Sequence, residues 1–167
     1  LRVPPESSGN AMNELTATGN RIIKTAMQAA DPYRLIMEQV RVKDGYLVIQ
    51  GRELYRLDAF NNIYVIGMGK GTAPMAAAIE EVLKENLTEG AVIVKYGHTE
   101  HTRIIRQYES GHPVPDENTL KWTQPIVEIA DKADENDLVI VLITGGGSAL
   151  LEYLPASISL TDLSEMN

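Results

Sequence analysis

The stretch "YVIGMGKGTAPMAAAIEEVL", Tyr64–Leu83, contains the change of pattern that decides the fold. An apolar run ends in glycines on either side of Lys70, and apolar residues then recur at helical spacing. Glu80 and Glu81 fall on the opposite side of that repeat, as in a surface helix. The stretch therefore predicts a buried strand, a tight glycine-rich turn and an amphipathic helix.

Similar units follow along the chain. The runs "AVIV" at 91–94 and "LVIVLI" at 138–143 show no polar alternation, which indicates strands buried on both faces. "LVIVLI" is the most hydrophobic, so we expect it at the centre of the sheet. "RIIRQY" at 103–108 is more polar, as in an edge strand. Strands that alternate with helices predict an α/β fold, with a Rossmann-like, mostly parallel sheet and helices on both faces.

A helical N-terminal segment is predicted before this sheet. Apolar residues at helical spacing over 14–30 indicate one helix, and "DPYRLIMEQV" indicates a second. Residues 1–11 show no periodicity, and we interpret them as a vector-derived or disordered tail that ends just before Met12. Residues 12–167 are assigned to one α/β domain.

Three local signals add detail to this outline. "GYLVIQGRELYRL" predicts a hairpin around Gly51. Pro125 predicts a kink or break in the helix that precedes "LVIVLI". Thr161 has the position of an N-cap, and the helix after it would stop within two turns. We therefore expect a truncated fragment, incomplete at its C-terminal end.

Composition and charge limit the classes of function. A chain of 167 residues with 44% hydrophobic content can form one domain with a core. The net charge of -8 argues against a nucleic-acid partner, and the lack of cysteines excludes disulfides and thiolate metal sites. The longest aliphatic run is too short to cross a bilayer. We expect a cytoplasmic protein with no membrane partner.

Two glycine-rich loops leave the carboxyl ends of predicted strands, which is where open parallel sheets bind ligands. They are "GMGKGT" at 67–72 and "TGGGSALL" at 144–151. Glycines let backbone amides approach an anion closely, and the N-terminus of a following helix adds positive potential. Two such loops at one edge indicate a phosphate- or carboxylate-binding site more strongly than either alone.

Neither loop is a standard fingerprint. The Walker A pattern fails because Tyr64 stands where its first glycine should be and Gly71 follows the lysine. The dinucleotide pattern fails at Thr72, and no convincing acidic residue follows at the required distance. A tight turn with Lys70 pointing to solvent therefore remains an alternative interpretation.

Two further segments carry residues of interest. "ESGHPVPDE" at 109–117 is either a structural turn in which Asp116 caps the next helix or a rigid loop that presents His112 to the same edge. "HTEH" places His98 three residues before His101, but no third metal ligand is in view. We assign no metal ligand.

Four segments in combination resemble one family. They are "VIGMGKGTAPMAAAIEEVL", "GAVIVKYGH", "SGHPVPDE" and "LVIVLITGGGSALL". Together they are similar to the N-terminal part of the glycerate 2-kinase family, whose members carry a C-terminal MOFRL domain. Some members bear an older hydroxypyruvate reductase label. Met68 and Gly71 depart from the usual alanines, and Thr144 stands where serine is common.

The resemblance implies ATP-dependent phosphorylation of D-glycerate at its 2-hydroxyl, giving 2-phosphoglycerate, with Mg2+. Lys70 would be catalytic and would stabilise negative charge on the transferred phosphoryl group or the substrate carboxylate. The general base and the Mg2+ ligands would come from outside this chain, and homo-oligomerisation stays open. The residues that would bind substrate or phosphate are Gly67, Gly69, Gly71, Thr144, Gly145, Gly146, Gly147, Ser148, His112 and Asp116.

Two other functions stay open at this level. One is an NAD(P)H-dependent hydroxypyruvate reductase, against which the failed dinucleotide pattern argues. The other is a non-catalytic module that binds phosphorylated metabolites. We expect the chain by itself to be inactive as a kinase, since one sheet edge forms only one wall of a cleft.

Overall fold

A computed structural model describes residues 7–155 and 157–166. The helices are α1 Ser7–Ala29, α2 Pro32–Gln39, α3 Thr72–Leu83, α4 Glu117–Lys132, α5 Gly147–Leu150 and α6 Leu160–Met166. The strands are β1 Val40–Lys43, β2 Tyr46–Ile49, β3 Arg52–Arg56, β4 Ile63–Met68, β5 Glu89–Lys95, β6 Ile105–Ser110 and β7 Leu138–Ile143.

Two sheets organise these elements. β4 to β7 form a parallel sheet in the order β6-β5-β4-β7, and β1 to β3 form an antiparallel sheet in sequence order. Strand β4 lies between β5 and β7, so the strand of the opening stretch is one of the two inner strands of the parallel sheet. The predicted α/β fold with a mostly parallel sheet is confirmed, and so are the β2–β3 hairpin and the polar edge strand β6.

Helices cover both faces of the parallel sheet, as predicted. On one face Val65 and Val92 belong to a buried cluster that includes α3 residues such as Ile79. On the other face Tyr64 and Ile93 pack with residues of α4 and α5. Because successive side chains of a strand point to opposite faces, strands without polar residues can supply both clusters.

The N-terminal segment packs against the outer side of α3. Helix α2 contacts α3, and β1 contributes Val40 to the core cluster that contains the α3 residues. Helix α2 begins as predicted, with the Asp31 carboxylate accepting the Arg34 N–H at 3.1 Å and Pro32 at the first helical position. Helix α1 extends away from this packing and leaves apolar side chains exposed, namely Met12, Leu15, Ile22, Ile23 and Met27.

No helix within the described ranges is long and apolar enough to cross a membrane.

The position of "LVIVLI" differs from the prediction. In the described part of the chain β7 is an edge strand of the parallel sheet, not its centre. Its side chains Val141 and Ile143 are 48% and 65% exposed. Hydrophobicity reports how much apolar surface a strand can bury, and it does not specify which strands pair with it. The prediction of a central position was therefore wrong.

Three local boundaries also differ. Helix α4 is not broken at Pro125, because it packs along β5 and β6 and tertiary packing outweighs the lost hydrogen bond; the alternative of a kink at this residue stays a prediction. The N-cap of α6 is Ser159 and not Thr161: the Ser159 hydroxyl accepts the Asp162 N–H at 3.1 Å. Helix α1 begins at Ser7, five residues before Met12. The division of the chain at residues 11 and 12 stays a prediction.

Candidate functional site

The two glycine loops lie side by side at the carboxyl edge of the parallel sheet. Strands β4 and β7 pair directly, and Met68 is opposite Ile143 at the end of the ladder. Both loops therefore leave neighbouring strands at the same level. The predicted convergence of the two motifs at one edge is confirmed by this register.

Hydrogen bonds fasten one loop to the other. The Lys70 N–H donates to the Gly145 carbonyl at 3.0 Å, and the Thr144 N–H donates to the Met68 carbonyl at 3.1 Å. The Gly71 N–H donates to the Thr144 hydroxyl oxygen, also at 3.0 Å. Thr144 thus acts as a clamp between the loops, and its hydroxyl does not need a ligand to be satisfied.

Gly67 and Gly69 have a packing role in this arrangement. Both are buried. A Cβ on Gly67 would come within 2.5 Å of the Leu142 carbonyl oxygen, and one on Gly69 would overlap Thr144. The Gly69 N–H is already bonded to the Ile93 carbonyl. These two glycines allow β4 and β7 to approach each other, and their positions do not support direct contact with a ligand.

His112 and Lys70 meet at Gly146. Gly146 has a φ of 89°, a left-handed conformation that disfavours side chains. A Cβ on this residue would lie 2.6 Å from His112 Nε2 and 3.3 Å from Lys70 Cγ. The structure therefore brings His112 to the same edge as the two loops. This is the position expected if "ESGHPVPDE" is a rigid loop that presents His112 to that edge. A Cβ on Gly147 would meet Met68 Cγ at 2.7 Å, so this position also requires a small residue.

The edge presents hydrogen-bond donors and one cation to solvent. Lys70, Gly145 and Ser148 are exposed. Within the described part of the chain Lys70 forms no ion pair, and the amides of Gly145 and Gly146 donate to no protein group. A lysine on one loop and free amides on the neighbouring loop attract anions, because each supplies positive potential at short range. The arrangement can bind a phosphate or a carboxylate.

Asp116 has a structural role. Its carboxylate accepts the Thr119 N–H at 3.0 Å and forms a capping box at the start of α4. It also accepts the Tyr96 hydroxyl at 2.7 Å. Partial burial would raise the pKa of Asp116, but hydrogen bonds from Tyr96, the Gly111 N–H and Thr119 together hold it below its ordinary value. Its oxygens are thus occupied, and the structure supports the capping interpretation.

Tyr96 was missed by the sequence reasoning. It follows β5 directly and so reaches the same edge as the loops. Its hydroxyl lies between the Asp116 carboxylate and the Asn118 side-chain amide, which donates to it at 2.8 Å. The signal in the sequence is its position just past a buried strand, but only the tertiary structure shows what it touches.

The two histidines of "HTEH" have different surroundings. His98 Nδ1 is 2.9 Å from the Tyr96 carbonyl oxygen. His101 lines a cavity of about 720 Å3 between α3 and the segment before β6, together with Glu80 and Arg103. Among the described residues no third histidine or acidic side chain joins them to form a metal site. We place the candidate site at the loops, where unpaired donors converge, and not at this open cavity.

Comparisons with known proteins agree with this picture. The sequence pattern of the family described as "Domain of unknown function (DUF4147)" matches residues 18–167. The chain is 39% identical over 150 residues to a glycerate 2-kinase of Pyrococcus horikoshii, a match that covers 90% of this chain and 33% of the relative.

Two crystal structures have the same fold as this chain. One is of a Pyrococcus horikoshii protein, with a TM-score of 0.78, 39% identity and coverage of 89% of this chain and 33% of that one. The other is of a glycerate kinase of Thermotoga maritima, with a TM-score of 0.73, 32% identity and coverage of 92% and 34%. The chain thus spans about a third of the length of the relatives that it matches. Because the family pattern covers nearly the whole sequence, the chain belongs to the DUF4147 family.

Proposed function

We propose that this chain is the phosphate-binding part of an ATP-dependent glycerate kinase that converts D-glycerate to 2-phosphoglycerate. The observation that carries the proposal is the exposed Lys70 side chain, whose Cγ lies near Gly146, together with the free amides of Gly145 and Gly146. The relatives named as glycerate 2-kinase or glycerate kinase supply the substrate and the reaction.

The geometry of the edge fits the phosphates of a nucleotide. Gly146 leaves no room for a side chain, so the backbone can approach an anion closely. The exposed Ser148 hydroxyl can add a hydrogen bond to the same anion. These groups bind and orient the phosphates without any change in the contacts between the two loops.

Bound ATP supplies the phosphoryl group that is transferred. The glycerate 2-hydroxyl gives its proton to a base that we expect from outside this chain, and its oxygen forms a bond to the γ-phosphorus. The bond from that phosphorus to the leaving ADP oxygen breaks. Lys70 stabilises the negative charge on the transferred group, since phosphoryl transfer depends mainly on positioning and charge stabilisation. The hydrogen bond from the Lys70 N–H to the Gly145 carbonyl holds the lysine backbone in place.

We assign no Mg2+ ligand among the described residues. No three histidine or acidic side chains lie together in the described part of the chain, and the Asp116 carboxylate is engaged by Tyr96 and Thr119. Carboxylate oxygens are the ligands that Mg2+ prefers. We therefore assign no step of the reaction to Mg2+ at these residues.

The test is a kinase assay on the full-length protein with ATP, Mg2+ and D-glycerate. We expect ADP release that depends on D-glycerate and a product identified by phosphorus NMR as 2-phosphoglycerate. Hydroxypyruvate with NADH serves as the matched control for a reductase. Nucleotide binding without any turnover would contradict the proposal and would favour a binding module.

A further inference from the structure

Three buried hydroxyl groups attach the segment that follows the glycine loop to the rest of the fold. Ser110 ends β6, and Thr119 and Thr123 lie on α4. All three are completely buried. Their partners are backbone groups within residues 149–152, immediately after the glycine loop.

Two of these hydroxyls satisfy carbonyl groups of α5. The Ser110 hydroxyl donates to the Leu150 carbonyl at 3.0 Å. The Thr119 hydroxyl lies 3.3 Å from the Ala149 carbonyl oxygen and 3.3 Å from the Asp116 carboxylate, so its single proton is shared between them. Thr119 thereby links the capping box of α4 to α5.

The third hydroxyl fixes the chain just beyond α5. Thr123 Oγ1 accepts the Glu152 N–H at 3.1 Å and donates to the Thr119 carbonyl at 2.8 Å. It is therefore used both as donor and as acceptor. Replacing it with an apolar side chain of the same shape would leave the Glu152 amide without a partner.

Helix α5 depends on such external contacts. It has four residues, and a single turn has too few internal hydrogen bonds to be stable alone. The amides of Gly145 and Gly146 directly precede it, so their direction depends on where α5 is held. A small displacement of these amides would weaken anion binding, because hydrogen bonds require close alignment.

We propose that Ser110, Thr119 and Thr123 are positioning residues that hold the loop Thr144–Ser148 in its ligand-binding geometry. The inference rests on the proposed function in one respect, namely that the loop binds the phosphates of ATP. The sequence reasoning did not identify these residues, because isolated serines and threonines in a strand or a helix carry no pattern.

The decisive comparison is Thr123→Val with Thr123→Ser. Valine keeps the shape and removes the hydroxyl, whereas serine keeps the hydroxyl. We expect the Kd for ATP, measured by calorimetry on the full-length protein, to rise at least about fivefold in Thr123→Val and to stay within about twofold in Thr123→Ser. Hydrogen exchange at Leu151, whose N–H donates to the Gly147 carbonyl at 3.0 Å, should accelerate only in the valine variant.

Thr88→Val is the matched control. The Thr88 hydroxyl accepts the Ile63 N–H at 3.0 Å, at the opposite end of the parallel sheet. This variant loses a hydrogen bond of similar length from a more exposed threonine far from the loops, so ATP affinity and exchange at Leu151 should not change. Ser110→Ala replaces Thr123→Val as the test variant if the latter does not fold.

Unchanged ATP affinity and unchanged exchange at Leu151 in Thr123→Val and Ser110→Ala would overturn the proposal. The same loss of ATP affinity in Thr88→Val would also overturn the proposal, because lower stability of the whole protein would then explain the loss. If the wild-type protein does not bind ATP, the proposed function fails, and the exchange rates still decide whether these hydroxyls position the loop.

Discussion

The imidazole of His112 lies against Gly146, so close that a Cβ on the glycine would come within 2.6 Å of His112 Nε2. The contact joins the proline-rich segment to the second glycine loop, and Lys70 approaches the same point from the first loop. Three segments that are far apart in the sequence therefore meet at one residue, and that residue also has a left-handed backbone.

Replacement of Gly146 tests this convergence. Gly146→Ala should lower the free energy of unfolding by at least about 1 kcal/mol, because a left-handed conformation costs that much and His112 must also move. Gly146→Val should in addition abolish ATP binding. Urea denaturation and calorimetric titration with ATP measure the two effects.

Two other glycines provide the controls for Gly146. Gly97 also has a positive φ, but a Cβ there would meet nothing within 4 Å, so Gly97→Ala isolates the cost of backbone strain. Gly145 has open space and no positive φ, so Gly145→Ala should leave the free energy of unfolding unchanged. Equal stability of Gly146→Ala and Gly145→Ala would contradict the packing described here.

Thr144 should be replaceable by serine but not by valine. Its hydroxyl oxygen accepts the Gly71 N–H, and valine would leave that half-buried amide unsatisfied. We expect Thr144→Val to lower the free energy of unfolding by about 1–3 kcal/mol, the cost of an unpaired buried donor. Thr144→Ser should have a free energy of unfolding close to that of wild type. Thermal and urea unfolding would measure the free energy of unfolding of both variants. If the two variants were equally stable, the Thr144 hydroxyl would not hold the loops together.

Lys70→Ala should impair catalysis without affecting the fold. Since Lys70 is exposed and unpaired within the described residues, its loss should leave the melting temperature unchanged. Turnover of the full-length protein should fall at least about 100-fold, as when one preorganised charge contact is removed. Lys43→Ala, on the distant strand β1, is the control and should retain full activity. Near-normal turnover of Lys70→Ala would exclude this lysine from the site.

Glu80 should make stability depend on pH. Its carboxylate accepts the N–H groups of Arg103 at 2.6 Å and of Ile104 and Ile105 at 2.9 Å. Burial opposes ionisation, but these hydrogen bonds hold the pKa of Glu80 below its ordinary value of 4.5. The stabilisation is therefore present above the unfolded pKa and is lost as the pH falls through the lower, folded pKa.

Glu80→Gln measures this contribution. The variant should be less stable than wild type near neutral pH, and the difference should shrink as the pH falls through the lowered pKa of Glu80 and the wild-type carboxylate becomes protonated. Glu128→Gln is the control, because Glu128 is exposed and forms no hydrogen bond within the described ranges. A difference between wild type and Glu80→Gln that does not vary with pH would show that charge is not involved.

The 167-residue chain by itself should not phosphorylate D-glycerate. The lysine and both glycine loops lie on one sheet edge, whereas in-line transfer requires both substrates to be enclosed and aligned. ADP release in the presence of ATP, Mg2+ and D-glycerate would be followed for the chain and for the full-length protein. Turnover by the chain at about 1–100 per second would contradict this expectation.

The sequence by itself determined the order of strands and helices from β2 to β7 and the presence of two glycine loops, whereas β1 and α5 were not predicted. These features depend on local periodicity and on glycine chemistry, which a short window contains. "YVIGMGKG" therefore predicted the strand, the turn and the helix start, and the Asp31–Pro32 pair predicted the start of α2.

Only the tertiary structure decided which residues meet. In the structure β7 lies at the edge of the described sheet, and the Asp116 carboxylate accepts the Tyr96 hydroxyl. The Thr144 hydroxyl joins the two loops by accepting the Gly71 N–H. The structure also brings Ser110 to α5. Each of these outcomes depends on the partner that a distant segment supplies, and a hydroxyl or a carboxylate has the same local pattern whichever partner it finds.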